Sequence, residues 1–162
     1  LPEVLKVGLG RNLHFTSVRL GATPEAAASY VRQNASQGET RSHGFFYDAR
    51  EGLLGLPVVG AGPSSYRHPR QASSSVLFLR NRSLALREIG TLDSRPTHAS
   101  DGCRASCVDW YGNSRPLFLR GRVFALMGYE LVEGAVRGER IEELRRVNFS
   151  PAGGLRDMIQ AP

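Results

Sequence analysis

Short runs of Val, Leu, Phe and Tyr closed by Gly, Pro, Asn, Asp and Ser, together with an apolar block that returns about 40 residues downstream, predict an all-β chain built as a partial β-propeller. The block Leu77-Phe78-Leu79-Arg80-Asn81-Arg82-Ser83-Leu84-Ala85-Leu86 recurs as Leu117-Phe118-Leu119-Arg120-Gly121-Arg122-Val123-Phe124-Ala125-Leu126. Each copy reads as an apolar strand, a polar turn at Arg-Asn-Arg or Arg-Gly-Arg, and an apolar return. Asn81 and Gly121 fall in the same turn slot, where positive φ costs least. At roughly 40–45 residues per blade, a chain of 162 residues makes about three or four blades of antiparallel strands. That is too few to close a ring comfortably, so the expectation is part of a larger ring, with blades over 1–150 and a C-terminal tail over 151–162.

The elements follow in order. Val4 to Leu9 is a strand closed by Gly10, and Leu13 to Leu20 alternates as a second, closed by Gly21. Thr23 to Ser29 is open to two readings: a short helical turn with Thr23 as N-cap and Pro24 at the first position, or an extended linker. Gly44 to Val59 reads as a hairpin turning at Asp48-Ala49-Arg50-Glu51-Gly52, and Pro57 suggests that its return strand ends there or lies at an edge. Gly60 to Ser75 and Ser94 to Ser106 read as long loops, as insertions or as contact surfaces. Glu130 to Val136 and Leu144 to Phe149 supply outer strands. Ile141 to Arg146 has some helical propensity, but its Gly-bounded context favours a strand.

The chain carries a formal charge of +6, with Lys6 its only lysine. The arginines are scattered among strands and turns, without the clustered stripe and aromatic platforms of a nucleic-acid binder. The densest stretch is Arg67, Arg70, Arg80, Arg82 and Arg87. A solvated surface is the plainer reading, and a polyanion-binding domain the second alternative. No apolar run reaches the roughly 18 residues of a membrane helix. The start at Leu1 rather than Met suggests a processed or excised segment, so membrane attachment is expected only through an anchor absent from this segment.

Cys103 and Cys107 stand in one loop-like stretch. Structural zinc wants four ligands and a thioredoxin-like pair has two intervening residues, so a small loop-closing disulfide or two free thiols remain. The disulfide fits an oxidising compartment. His14, His43, His68 and His98 show no metal-binding spacing, and His43 reads as a hydrogen-bonded structural histidine. Ser42, His43 and Asp48 resemble a fragment of a triad without a nucleophile elbow. Gly8-Leu9-Gly10 has no helix after it to bind phosphate. Asn34-Ala35-Ser36, Asn81-Arg82-Ser83 and Asn148-Phe149-Ser150 match the glycosylation acceptor pattern, read as chance matches. Trp110 and Tyr111 form an aromatic pair beside a long loop, either a core plug or a recognition patch. No catalytic residue and no cofactor is assigned.

The block Arg41-Ser42-His43-Gly44-Phe45-Phe46-Tyr47-Asp48-Ala49-Arg50-Glu51-Gly52-Leu53-Leu54-Gly55-Leu56-Pro57-Val58 resembles that of the secreted bacterial and archaeal β-propeller domain proteins, often lipoproteins. Leu5 to Arg11, Leu13 to Leu20, Ser74 to Leu92, Ser114 to Leu119 and Glu142 to Phe149 are similar to further strands of that family, so the resemblance spans most of residues 3 to 150. Ser42 stands where the family has aspartate, Gly44 where it has lysine, and Gly21-Ala22-Thr23-Pro24 where its turn is acidic. The resemblance implies an extracytoplasmic location (periplasmic, cell-surface or secreted) and brings no catalytic residues with it.

The functional expectation is a non-enzymatic module for protein interaction or scaffolding. Its partner would be another protein chain, the rest of its own propeller, or copies of itself. The surface residues singled out for recognition are Arg67, Arg70, Trp110 and Tyr111. The alternative is part of a propeller hydrolase whose site other blades or another chain complete.

Overall fold

The computed structural model describes residues 3–8, 12–37, 44–59, 75–95 and 114–150. Among these the chain is all-β, with twelve strands in three antiparallel sheets. The N-terminal sheet joins β1 (Glu3–Gly8), β2 (Leu13–Arg19) and β3 (Glu25–Arg32) in that order. The central sheet runs from β4 (Ser36–Gln37) and β5 (Phe46–Asp48), both paired to β6 (Leu53–Val59), through β7 (Ser75–Arg82) to β8 (Ala85–Asp93). The C-terminal sheet is a four-stranded meander of β9 (Ser114–Leu119), β10 (Arg122–Met127), β11 (Glu130–Arg137) and β12 (Arg140–Asn148).

The central sheet is buried on both faces, and strand periodicity shows how. On β6 and β7, Leu53, Val76 and Phe78 face the C-terminal sheet, where they pack with Val123, Ala125, Met127, Val132 and Ile141. The alternate residues Leu54, Leu56, Val58, Leu77 and Leu79 face the other way and pack with Leu13 and Phe15 of β2. A strand covered on both sides must be apolar at every position, and Leu53 to Val58 are all buried. Each such leucine contributes about 1.5–3 kcal/mol of transfer free energy. The result is an open three-layer stack. The C-terminal sheet meets the central one with β12 against β8 and β9 against β6 and β5, and the N-terminal sheet meets it with β3 against β8.

Several expectations change. Thr23 to Ser29 forms no helical turn: β3 starts at Glu25 and pairs along β2, Phe15 opposite Tyr30 and Thr16 opposite Ser29. Tertiary pairing outweighs the local cap signal of Thr23 and Pro24. Pro57 neither ends its strand nor marks a sheet edge. β5 pairs with Leu53 to Gly55 and β4 with Val58 and Val59, so Pro57 falls between the two partners, where no ladder needs its missing N–H.

The repeated block does not turn at the same place twice. In the second copy the hairpin turns at Arg120-Gly121, with φ of 52° and 72° and Leu119 opposite Arg122. In the first copy Asn81 is inside β7 opposite Leu86, and the turn comes later at Ser83-Leu84, with φ of 51° and 72°. Both are two-residue turns with positive φ at each centre, the twist that antiparallel strands require. The strands over Glu130–Val136 and Ile141–Arg146 stand as expected, as β11 and β12. Of the long loops expected over Gly60 to Ser75 and Ser94 to Ser106, Ser75 instead opens β7, Ser94 and Arg95 follow β8, and the rest lies outside the described residues.

Candidate functional site

The two outer sheets end the stack differently. On the N-terminal sheet, Leu13, Phe15 and Tyr30 face inward, so the alternate residues face out. Among the described side chains these are His14 opposite Val31, Thr16 opposite Ser29 and Val18 opposite Ala26, a mixed set without a large apolar or aromatic residue beyond the two valines. On the C-terminal sheet, Val123, Ala125, Met127 and Val132 face inward. Outward point Leu117 opposite Phe124, then Leu126 opposite Leu131, which is opposite Val147. Leu119, 62% exposed, and Val147, 53% exposed, extend this face at two corners. No cluster of buried side chains covers it among the described residues.

One carboxylate sits within this apolar face. Glu133 lies opposite both Phe124 and Arg145 and is 5% exposed. Arg122 donates to it twice, Nε to Oε1 at 2.7 Å and Nη2 to Oε2 at 2.8 Å, while Arg145 Nε lies 2.9 Å from Oε2. The Arg122 guanidinium also lies 4.8 Å over the Phe124 ring. The Arg122 hydrogen bond holds the Glu133 carboxyl below the ordinary glutamate range, with Arg145 adding charge attraction. The bulge at Glu133/Gly134 sets the β12 register that brings Arg145 there. A clamped, neutralised carboxylate can be covered by a partner at far lower cost than a bare one.

A second network ties the far ends of β8 and β12. Glu130, 2% exposed, accepts the Arg95 backbone N–H at 2.8 Å and pairs with Arg146 at 3.0 Å. Arg146 also donates to Glu143 and to the Asp93 carbonyl, each at 2.8 Å. Val58 stands opposite Ser75, Ser75 opposite Asp93, and Glu130 holds Arg95. The points where the chain leaves and re-enters the central sheet around 60–74, and where it leaves after β8, are therefore neighbours at one end of the stack.

Arg67, Arg70, Cys103, Cys107, Trp110 and Tyr111 lie outside the described residues, as do His43, His68 and His98. His14 is exposed on β2. Asp48, suggested as a triad member, caps its own turn by accepting the Arg50 backbone N–H at 2.9 Å. No group of three or more His, Cys, Asp or Glu side chains placed to hold a metal occurs among the described residues. Asn81 donates through Nδ2 to the Tyr47 hydroxyl at 3.1 Å. The apolar outward face was signalled by β10, where Val123-Phe124-Ala125-Leu126-Met127 is apolar at alternate positions of both kinds. The clamp on Glu133 had no such signal, because it depends on register.

Comparison with family models, with curated proteins and with solved structures finds no match to this chain.

Proposed function

We propose that this chain is a non-enzymatic β-propeller module for protein contact or scaffolding, and that the outward face of its C-terminal sheet is the contact surface. The observation that carries this reading is the difference between the two ends of the stack. Among the described side chains, one end mixes His14, Thr16 and Ser29 with Val18, Ala26 and Val31; the other presents Leu117, Phe124, Leu126, Leu131 and Val147 together. An apolar sheet face in water is the surface that a further sheet covers in a layered β architecture.

The propeller reading draws on the same stack. The last strands of all three sheets lie together, β3 and β12 both against β8, and the C-terminal sheet is a four-stranded up-and-down meander of the kind that forms a blade. The resemblance of residues 41 to 58 to secreted propeller proteins supports an extracytoplasmic setting for such a module. The arginines support contact rather than polyanion binding. Arg32, Arg82, Arg122, Arg145 and Arg146 each pair with a glutamate of the same chain.

The test is the mass and composition of the native particle, by size-exclusion with light scattering and mass spectrometry of each chain in the peak. A particle heavier than 17.7 kDa that reverts to the single chain on Leu126→Thr with Leu131→Thr is the expected result. A stable monomer of that mass, unaffected by the same pair, would overturn the proposal.

A further inference from the structure

At the opposite end of the stack from the Glu130 network, the β5–β6 turn and the β9–β10 turn enclose a half-open cleft of about 430 Å³, between the central and C-terminal sheets. That volume falls in the roughly 300–1,000 Å³ of small-molecule sites. Its floor is an aromatic ladder that starts in the core. Phe78 is fully buried and meets Phe118 edge-on, with ring centroids 6.3 Å apart. Phe118 then stacks on Phe46 at 4.9 Å and 21°. Phe46 is 45% exposed, so the ladder ends on a half-open ring. The next ring in that series would belong to a ligand.

The walls carry both signs of charge. Arg50 and Arg120 line the cleft together with Asp48 and Glu51. Asp48 spends one oxygen on its own turn. No ion pair joins these arginines to these carboxylates, whereas Arg122, on the same rim, is fully engaged by Glu133. Arg120 also holds φ of 52°, a conformation that glycine or asparagine adopts at lower cost. A guanidinium is thus kept at a strained turn position at the mouth of an aromatic cleft.

We propose that this cleft binds a small aromatic zwitterion, a free α-amino acid with a planar ring. The ring stacks on Phe46, the carboxylate is taken by Arg50 and Arg120, and the ammonium by Asp48 and Glu51. This site is independent of the sheet face proposed above for protein contact.

The experiment is a titration of the 162-residue chain followed by NMR chemical shifts, with four probes. L-Phenylalanine carries all three features, 2-phenylethylamine lacks the carboxylate, 3-phenylpropionate lacks the ammonium, and L-leucine lacks the ring. Saturable shifts with phenylalanine at residues 46–51 and 118–122, and binding of each other probe weaker by about tenfold, are expected. Arg120→Gly keeps the turn, because glycine suits φ of 52°, and should weaken phenylalanine about tenfold. Arg50→Gln should weaken it as well, without touching a turn glycine. Absence of shifts with phenylalanine, equal binding of phenylalanine and 3-phenylpropionate, or unchanged affinity in both variants overturns the proposal.

Discussion

Gly55 on β6 and Pro116 on β9 approach so closely that a methyl group on Gly55 would stand 2.6 Å from Pro116 Cβ and 3.1 Å from the Phe78 ring. The central and C-terminal sheets are therefore seated on a missing side chain. Proline is a rigid ring and Phe78 is fully buried, so neither can swing aside. Gly55→Ala is expected to lower unfolding free energy by about 1–3 kcal/mol, the usual cost of overpacking. Urea denaturation followed by circular dichroism measures it; a stability equal to the parent would mean the sheets slide apart freely.

The β7–β8 turn carries its own strain. Ser83 and Leu84 both hold positive φ, and Leu84 is 7% exposed. Asparagine tolerates this region better than serine. Ser83→Asn should raise the melting temperature, by the equivalent of up to about 1 kcal/mol. A drop would show that the serine hydroxyl has a role the turn geometry does not reveal.

Tyr30 joins the N-terminal sheet to the central one by donating its hydroxyl to Glu88, which also pairs with Arg32. Burial, then the Glu88 hydrogen bond and charge, push the phenol up from 10.0 to about 12. The folded state favours the protonated phenol, so this contribution is fully present below pH 10.0 and is lost as pH rises through about 12. Ultraviolet titration of tyrosinate should show a late phase from Tyr30. Tyr30→Phe should remove that phase; its persistence in the variant would take Tyr30 out of the account.

The acid side has the opposite sign. The Arg122 hydrogen bond lowers Glu133, and the Arg146 hydrogen bond, with the nearby charge of Arg95, lowers Glu143. Stability from these groups is complete above the ordinary glutamate value of 4.5 and is lost as pH falls through the lower folded values. Thermal melts should therefore fall away below about pH 4.5. Glu133→Gln with Glu143→Gln should melt lower at pH 7 and show a flatter acid decline. An unchanged acid slope in that double variant would remove these glutamates from the account.

Much of the strand pattern was legible because strands here are short, apolar and closed by turn residues. Leu13 to Arg19 alternates along its length, and β11 and β12 sit on either side of Gly138. β3 was obscured because Glu25-Ala26-Ala27-Ala28 has little strand preference, and its conformation comes from pairing with β2. The repeat misled on its turn because side-chain similarity fixes which residues are apolar, not where a hairpin reverses. The apolar outward face of the C-terminal sheet could be read in part from the all-apolar run of β10. Its clamped glutamate could not, since a one-residue bulge decides whether Arg145 or Leu144 stands opposite Glu133.

Pro57 has a consequence before the chain has folded. Leu53-Leu54-Gly55-Leu56-Pro57-Val58-Val59 is uncharged and apolar throughout, the composition from which intermolecular cross-β stacks grow. In the native sheet the proline occupies the one gap between β5 and β4 and disrupts no described ladder. In a nascent or partly unfolded chain the same residue denies every neighbouring molecule an N–H at that position, and so acts as a gatekeeper against amyloid growth. Exchanging Pro57 for valine would keep the strand and strip the unfolded chain of that protection.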